Sequence, residues 1–183
     1  QDGRHGPNNN LLPDYTLDPK FVELMKVNFA AAKKAGVMID VLTSPHYFPS
    51  WAIAKDPEMN NGAPFMNIDH PAERKVIEAW LRQVARLLKD EPALFSYCLS
   101  NEPAYGSSGR DKWSAPAWHE YLKDKHKTVD ALNALYGTKY KSVDEVPCGG
   151  GDDIGGKRCS YDWYRFNFKH FASKMDSGDD VDS

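Results

Sequence analysis

The sequence predicts an α/β chain built on a pair of parallel strands, and three observations carry that expectation. Two short apolar runs, VMIDVL at Val37–Leu42 and LFSYCL at Leu94–Leu99, have the length and side chains of buried strands. Between them, apolar residues recur at helical spacing: Val76, Ile77, Trp80, Leu81, Val84, Leu87 and Leu88. Strand, helix and strand in that order make a βαβ unit, whose strands run parallel.

Each further element has a local reason. The opening QDGRHGPNNNLLP is rich in Gly, Pro and Asn and reads as loop. Asp18 is placed to cap a helix with Pro19 at its first position, and Gly36 is placed to end it. Thr43 to His70 holds four Pro and one Gly and reads as a long irregular segment. Its aromatic content, His46, Tyr47, Phe48, Trp51 and Phe65, is too high for a disordered linker. Pro71 opens the crossover helix, and Asp90-Glu91-Pro92 breaks it. Beyond Gly106 the chain reads as mostly helical. Ser114 would cap a helix from about Pro116 to Lys125, and Thr128 another that ends at Gly137. KSVDEVP reads as a short extended piece, and the glycines between Cys148 and Cys159 as a flexible loop. A last helix aligns Tyr164, Phe168, Phe171 and Met175 on one face. Residues 1–175 are expected to form one partial domain, and 176–183 an acidic, disordered tail.

Composition narrows the function. The net charge of -3 gives no basic surplus for nucleic acid. No apolar run approaches the roughly 18 residues of a membrane span, and no charged-then-apolar signal segment opens the chain. Aromatic residues make up 12%, which suits either a packed core or the stacking of flat sugar faces. Cys98 lies in an apolar run and reads as a buried thiol, whereas Cys148 and Cys159 can be a disulfide or two thiols.

Ligands of parallel α/β sheets bind beyond the carboxyl ends of the strands. Two segments leave such ends here: TSPHYFPSW after Leu42 and SNEP after Leu99. Glu102 in the second is either a solvated carboxylate in a turn or a shielded acid, raised in pKa by desolvation and able to donate a proton. Asn101 has donor and acceptor atoms suited to sugar hydroxyls. His46 can contact substrate or bond backbone, and Trp51 can be a sugar platform or a packing residue. Asp40 can point into a barrel interior or pair with a cation. Asp152 and Asp153 read as solvated. His119 and His126 stand seven apart with no third ligand, so they read as surface histidines and no metal site is expected.

These segments resemble glycoside hydrolase family 42, the β-galactosidase-like group of the retaining (β/α)₈ clan A. SNEP resembles the clan's acid/base motif, and SPHYFPSWA resembles the family's segment after the third strand. WHEYLKDKHKTVDALNALYGTKYKSVDEVP and YDWYRFNFKHFASKM are similar to the helices that follow the acid/base residue. The resemblance runs from about Asp18 to Met175. It implies a partial TIM (β/α)₈ barrel that covers roughly the third to fourth βα units and the helices after them. It makes Glu102 the proton donor and later the general base, and Asn101 the partner of the sugar 2-hydroxyl. His46, Trp51 and Tyr105 become candidate substrate contacts.

A whole barrel needs about 250 residues. Retention needs a second carboxylate about 5–5.5 Å from the first. That nucleophile is expected outside this chain, which would leave the chain inactive alone. The implied partner is an oligosaccharide or β-glycoside, with no cofactor; the intact enzyme is compatible with a homo-oligomer. Alternatives are another clan A activity (β-mannanase, endoglucanase or agarase), or a non-catalytic carbohydrate-binding barrel remnant that uses Trp51, Trp113 and Tyr105.

Overall fold

The structure, a computed structural model, describes residues 10–43, 48–60, 69–99 and 111–176. The chain divides into two compact units, Gln1–Pro103 and Ala104–Ser183.

In the first unit, α1 (Pro19–Ala35) starts where expected: the Asp18 side chain accepts from the Lys20 N–H at 2.7 Å, and Pro19 holds the first position. Gly36, at φ 68°, ends it in the left-handed conformation that glycine adopts most easily. The Val37 N–H closes that cap by donating to the Ala32 carbonyl at 3.0 Å. This is why β1 (Ile39–Leu42) is shorter than the apolar run: Val37 is committed to the helix end, and both Val37 and Met38 are exposed.

The crossover helix α3 (Pro71–Leu88) follows the expected stripe, burying Val76, Ile77, Trp80, Val84 and Leu88. The strand β2 (Leu94–Cys98) then pairs with β1 in parallel. Ile39 faces Leu94 and Asp40 faces Ser96, so Phe95 is an extra residue bulged out of the ladder. That one-residue skip keeps the faces in phase. Val41 and Tyr97 pack against the core of Phe29, Trp80, Val84, Leu88 and Ala93. On the other face Ser96 Oγ donates to Asp40 Oδ1 at 2.6 Å, so among the described residues Asp40 is held by a hydroxyl. The strands are therefore not buried on both faces among the described residues: Leu42 is 45% exposed and Phe95 73%. Cys98 is half-buried.

The segment after β1 is not irregular throughout. It contains α2 (Ser50–Lys55) and a 3₁₀ turn at Pro57–Asn60. Six residues are too few to show a helical period, and the flanking prolines masked them.

The second unit packs α4 (Ala115–His126), α5 (Val129–Tyr136) and α6 (Gly156–Asp176) around Trp118, Leu122, Leu132, Trp163 and Phe166. Thr128 caps α5 as expected, accepting from the Ala131 N–H at 3.2 Å, and Gly137 ends it at φ 72°. Ser114 makes no side-chain cap bond. Asp111 does that work one turn earlier, its Oδ1 accepting from the Trp113 and Ser114 N–H groups. KSVDEVP is not extended; its centre, Val143–Glu145, is a 3₁₀ turn that buries Val143.

The glycine loop is closely packed at Gly155. A Cβ on Gly155, which sits at φ 153°, would lie 2.7 Å from the Tyr136 ring. On α6 the buried face is Cys159, Asp162, Trp163, Phe166 and Asn167, while Tyr164 and Phe168 are each 68% exposed. Cys98, Cys148 and Cys159 are free thiols.

One buried carboxylate joins the three helices. Asp162 on α6 accepts from the Lys125 ammonium, from His126 Nε2 at 2.8 Å and from the Tyr136 hydroxyl at 2.7 Å. His126 is therefore not a surface histidine; its side chain is 7% exposed. His119 is also engaged, its Nε2 lying 2.9 Å from the Val146 carbonyl oxygen. Burial works against the Asp162 charge, but the hydrogen bonds from Lys125, Tyr136 and His126 outweigh it and hold the carboxyl below its ordinary range. Removing the carboxylate strands buried donors, so Asp162→Ala should cost about 3–5 kcal/mol by chemical denaturation.

Burial pushes both the Cys148 and Cys159 thiols up to about 11, with Asp111 adding to the first and Asp162 to the second. The fold thus favours the neutral thiols. Their contribution is complete below the ordinary value of 9.0 and is lost as pH rises from there to about 11. In denaturation curves between those limits, Cys148→Ala should show a shallower loss of stability than the parent, by up to about 1.4 kcal/mol per pH unit.

Candidate active site

The site begins at the carboxyl end of the parallel pair. Leu42 and Cys98 are its last partners, so Thr43 and Leu99 leave from the same end of the sheet. The ladder extends one bond further, with the Thr43 N–H donating to the Cys98 carbonyl at 2.9 Å. Thr43 Oγ1 lies 3.2 Å from the Cys98 carbonyl oxygen and 3.0 Å from that of Leu99. From the other side, the Trp80 indole N–H of α3 donates to the Thr43 carbonyl at 2.8 Å. Thr43 is 2% exposed, with its N–H, carbonyl and hydroxyl all hydrogen-bonded inside the fold. No motif marked it or the Trp80 bond; the only available signal was that a polar residue ended an apolar run.

Of the residues expected to form the site, His46, Asn101, Glu102 and Tyr105 lie outside the described residues. Trp51 lies within them, on α2. Its indole N–H donates to the Leu11 carbonyl at 2.9 Å, and its ring meets Tyr15 edge to face at 5.3 Å between centroids. Trp51 and Tyr15 also line a hollow of about 250 Å³, together with Lys55, Asp56 and Lys75. The Lys75 ammonium lies 4.6 Å above the Tyr15 ring centre, in cation–π range. With its N–H engaged, Trp51 can offer a ligand only its ring surface.

A polar group unseen in the sequence lies nearby. Ligand atoms of Asp56, Glu58 and His70 come within 4.8 Å of one another, close enough for a divalent cation to bridge. His70, however, uses Nδ1 to accept the Ala72 N–H at 3.2 Å, which puts the proton of the neutral ring on Nε2. The imidazole therefore serves as the cap of α3.

Residues 20–177 match the model of glycoside hydrolase family 42, described as beta-galactosidase. The chain belongs to that family. A β-galactosidase of Geobacillus kaustophilus is 27% identical over 128 residues, covering 61% of this chain and 19% of that protein. A β-galactosidase of Alicyclobacillus acidocaldarius subsp. acidocaldarius is 29% identical over 119 residues, covering 59% and 17%. The chain therefore spans about a fifth of the length of the curated relatives it matches.

Two solved structures share the fold at 22% identity. A catalytic mutant of a family 42 β-galactosidase from G. stearothermophilus matches 93% of this chain and 27% of its own, with a TM-score of 0.74. An apo exo-carrageenase of family 42 from Bacteroides ovatus matches 92% and 24%, with a TM-score of 0.63. The α/β architecture of this family 42 chain is thus that of part of a TIM barrel. Among the described residues no helix is long and apolar enough to cross a membrane.

The Trp51 contacts make a stability prediction. Trp51→Phe keeps an aromatic ring but leaves the Leu11 carbonyl without the indole donor, and should lower the unfolding free energy by about 1 kcal/mol, read from the denaturation midpoint.

Proposed function

We propose that this chain contributes the third and fourth βα units to the catalytic barrel of a retaining β-galactosidase-like enzyme, with Glu102 as its acid/base. The observation that carries the reading is the common exit of β1 and β2. The two strands are adjacent and parallel, so the segment with His46 and Trp51 and the segment with Asn101 and Glu102 start from one end of one sheet. Membership of family 42 supports the same reading. So does the uncovered sheet face of Leu42 and Phe95, which a closed barrel would turn inward.

In this mechanism a carboxylate outside the chain attacks the anomeric carbon while Glu102 protonates the departing glycosidic oxygen. Glu102, now a carboxylate, then takes a proton from the water that releases the sugar, so configuration is retained over two inversions. Asn101 holds the sugar 2-hydroxyl, where hydrogen bonds strengthen as the oxocarbenium-like transition state forms. His46, Trp51 and Tyr105 shape the subsite; Trp51 does so through its ring. The substrate is a β-galactoside or related β-glycoside.

In the intact enzyme, Glu102→Gln should lower turnover of unactivated β-galactosides by about 10²–10⁴-fold, because the amide cannot donate the proton. Steady-state kinetics test this; unchanged turnover would remove Glu102 from the role.

A further inference from the structure

We infer that Thr43 is a positioning residue for the acid/base: its hydroxyl fixes the carbonyl at which β2 exits, and through it the segment that carries Glu102. The inference rests on the reading of Glu102 given above. Thr43 touches no reacting atom in this role; it acts through the backbone of the neighbouring strand.

A parallel ladder constrains a strand only as far as its bonds run, and among the described residues the last of them is the Thr43 N–H to the Cys98 carbonyl. Leu99 lies one residue beyond it, already outside β2 and 41% exposed. Its carbonyl is nevertheless held, 3.0 Å from Thr43 Oγ1. A threonine hydroxyl has one hydrogen to donate, and both acceptors within its reach, at 3.0 and 3.2 Å, belong to β2 or its exit. Thr43 can anchor them because it is itself immobilised. It is 2% exposed, its N–H is in the ladder, and its carbonyl is bound by Trp80. A β-branched side chain between two engaged backbone groups has little rotamer freedom left. Valine would suit the end of a strand equally well, so the hydroxyl's distinct contribution is to the exit carbonyls.

Only two residues, Ser100 and Asn101, separate Leu99 from Glu102. A catalytic group must be held within about 0.5 Å of its productive position. Loss of the Leu99 contact frees the chain at the point where the acid is rooted. Protonation of a poor leaving group needs the acid in place, while a good leaving group departs with little help. The defect should therefore depend on the leaving group.

The test uses the intact enzyme with aryl β-galactosides of graded leaving-group acidity, and compares the parent with Thr43→Val, Thr43→Ser and Glu102→Gln. For the poorest leaving group Thr43→Val should lower kcat/KM about 10- to 100-fold. For the best it should lower kcat/KM no more than about threefold, because kcat/KM reports the first step alone, and Thr43→Ser should restore the parent pattern. A uniform loss across the series, or no loss, overturns the inference. Thr43→Ala, which removes the hydroxyl without adding bulk, is read in the same way if the valine variant does not fold. Hydrogen exchange adds a readout independent of activity: the amides after Leu99 should exchange faster in the variant while α3 stays protected, and unchanged exchange there also counts against the role. If Glu102→Gln leaves the leaving-group dependence unaltered, the acid/base reading falls. If Glu102→Gln steepens it and Thr43→Val does not, the positioning role alone falls.

Discussion

Two parallel strands of four and five residues cannot stand alone in water, and everything in the first unit follows from holding them. Parallel strands need a crossover, and the crossover helix α3 is also the clamp. Its Trp80 fills the core with Phe29, Val84 and Leu88, while its indole N–H reaches the Thr43 carbonyl at the strand end. One side chain thus supplies both apolar burial and a hydrogen bond to the backbone at the strand end. The bulge at Phe95 depends on the same packing. With β2 tied to the core at Leu94 and again at Tyr97, three residues apart, strict alternation would place them on opposite faces. The extra residue restores them to one face, and brings Ser96 opposite Asp40 on the other.

The second unit meets its constraint differently. An eight-residue helix such as α5 has little stability by itself. Tyr136, in its last turn, is tied to Asp162 on α6, which also receives Lys125 and His126 from the last turn of α4. A buried carboxylate is a poor source of net stability compared with apolar packing. Its value here is geometric. Three donors of different reach converge on one group, so the ends of α4 and α5 can meet α6 in few ways. Gly155 completes the arrangement, since any side chain there would occupy the Tyr136 ring.

What was legible in the sequence was chemistry that acts within a few residues. Asp18 with Pro19, Gly36, Pro71, and Thr128 with Gly137 mark helix ends because capping is settled by adjacent atoms. The βαβ order was legible because a seven-member apolar stripe between two apolar runs admits few alternatives. What was not legible depends on distant partners. Asp162 meets His126 across 36 positions, so His126 looked like a surface residue. On α6 two aromatic stripes interleave, and spacing cannot tell that Trp163 and Phe166 are inside while Tyr164 and Phe168 are outside. Asn101 and Glu102, which lie outside the described residues and are proposed as part of the site, stand out in the sequence as a motif, whereas Thr43 does not, because a threonine at the end of a strand is ordinary until its hydroxyl's partners are known.

This contrast bears on where a barrel can put an acid. A carboxyl group that moves a proton twice per turnover needs access to substrate and water, which favours a loop. It also needs a fixed position, which favours a strand. The residue just past a strand end satisfies both demands only if the strand's constraint reaches slightly beyond its own ladder. Backbone pairing cannot supply that reach, because each strand's bonds end with its partner's. A side chain from the neighbouring strand can, and a short, buried, β-branched hydroxyl is well suited to it. Its single hydrogen has two successive carbonyls within reach, at 3.0 and 3.2 Å. In this chain that group is Thr43, held from behind by Trp80, so the accuracy of the exit from β2 traces back to an indole on the crossover helix.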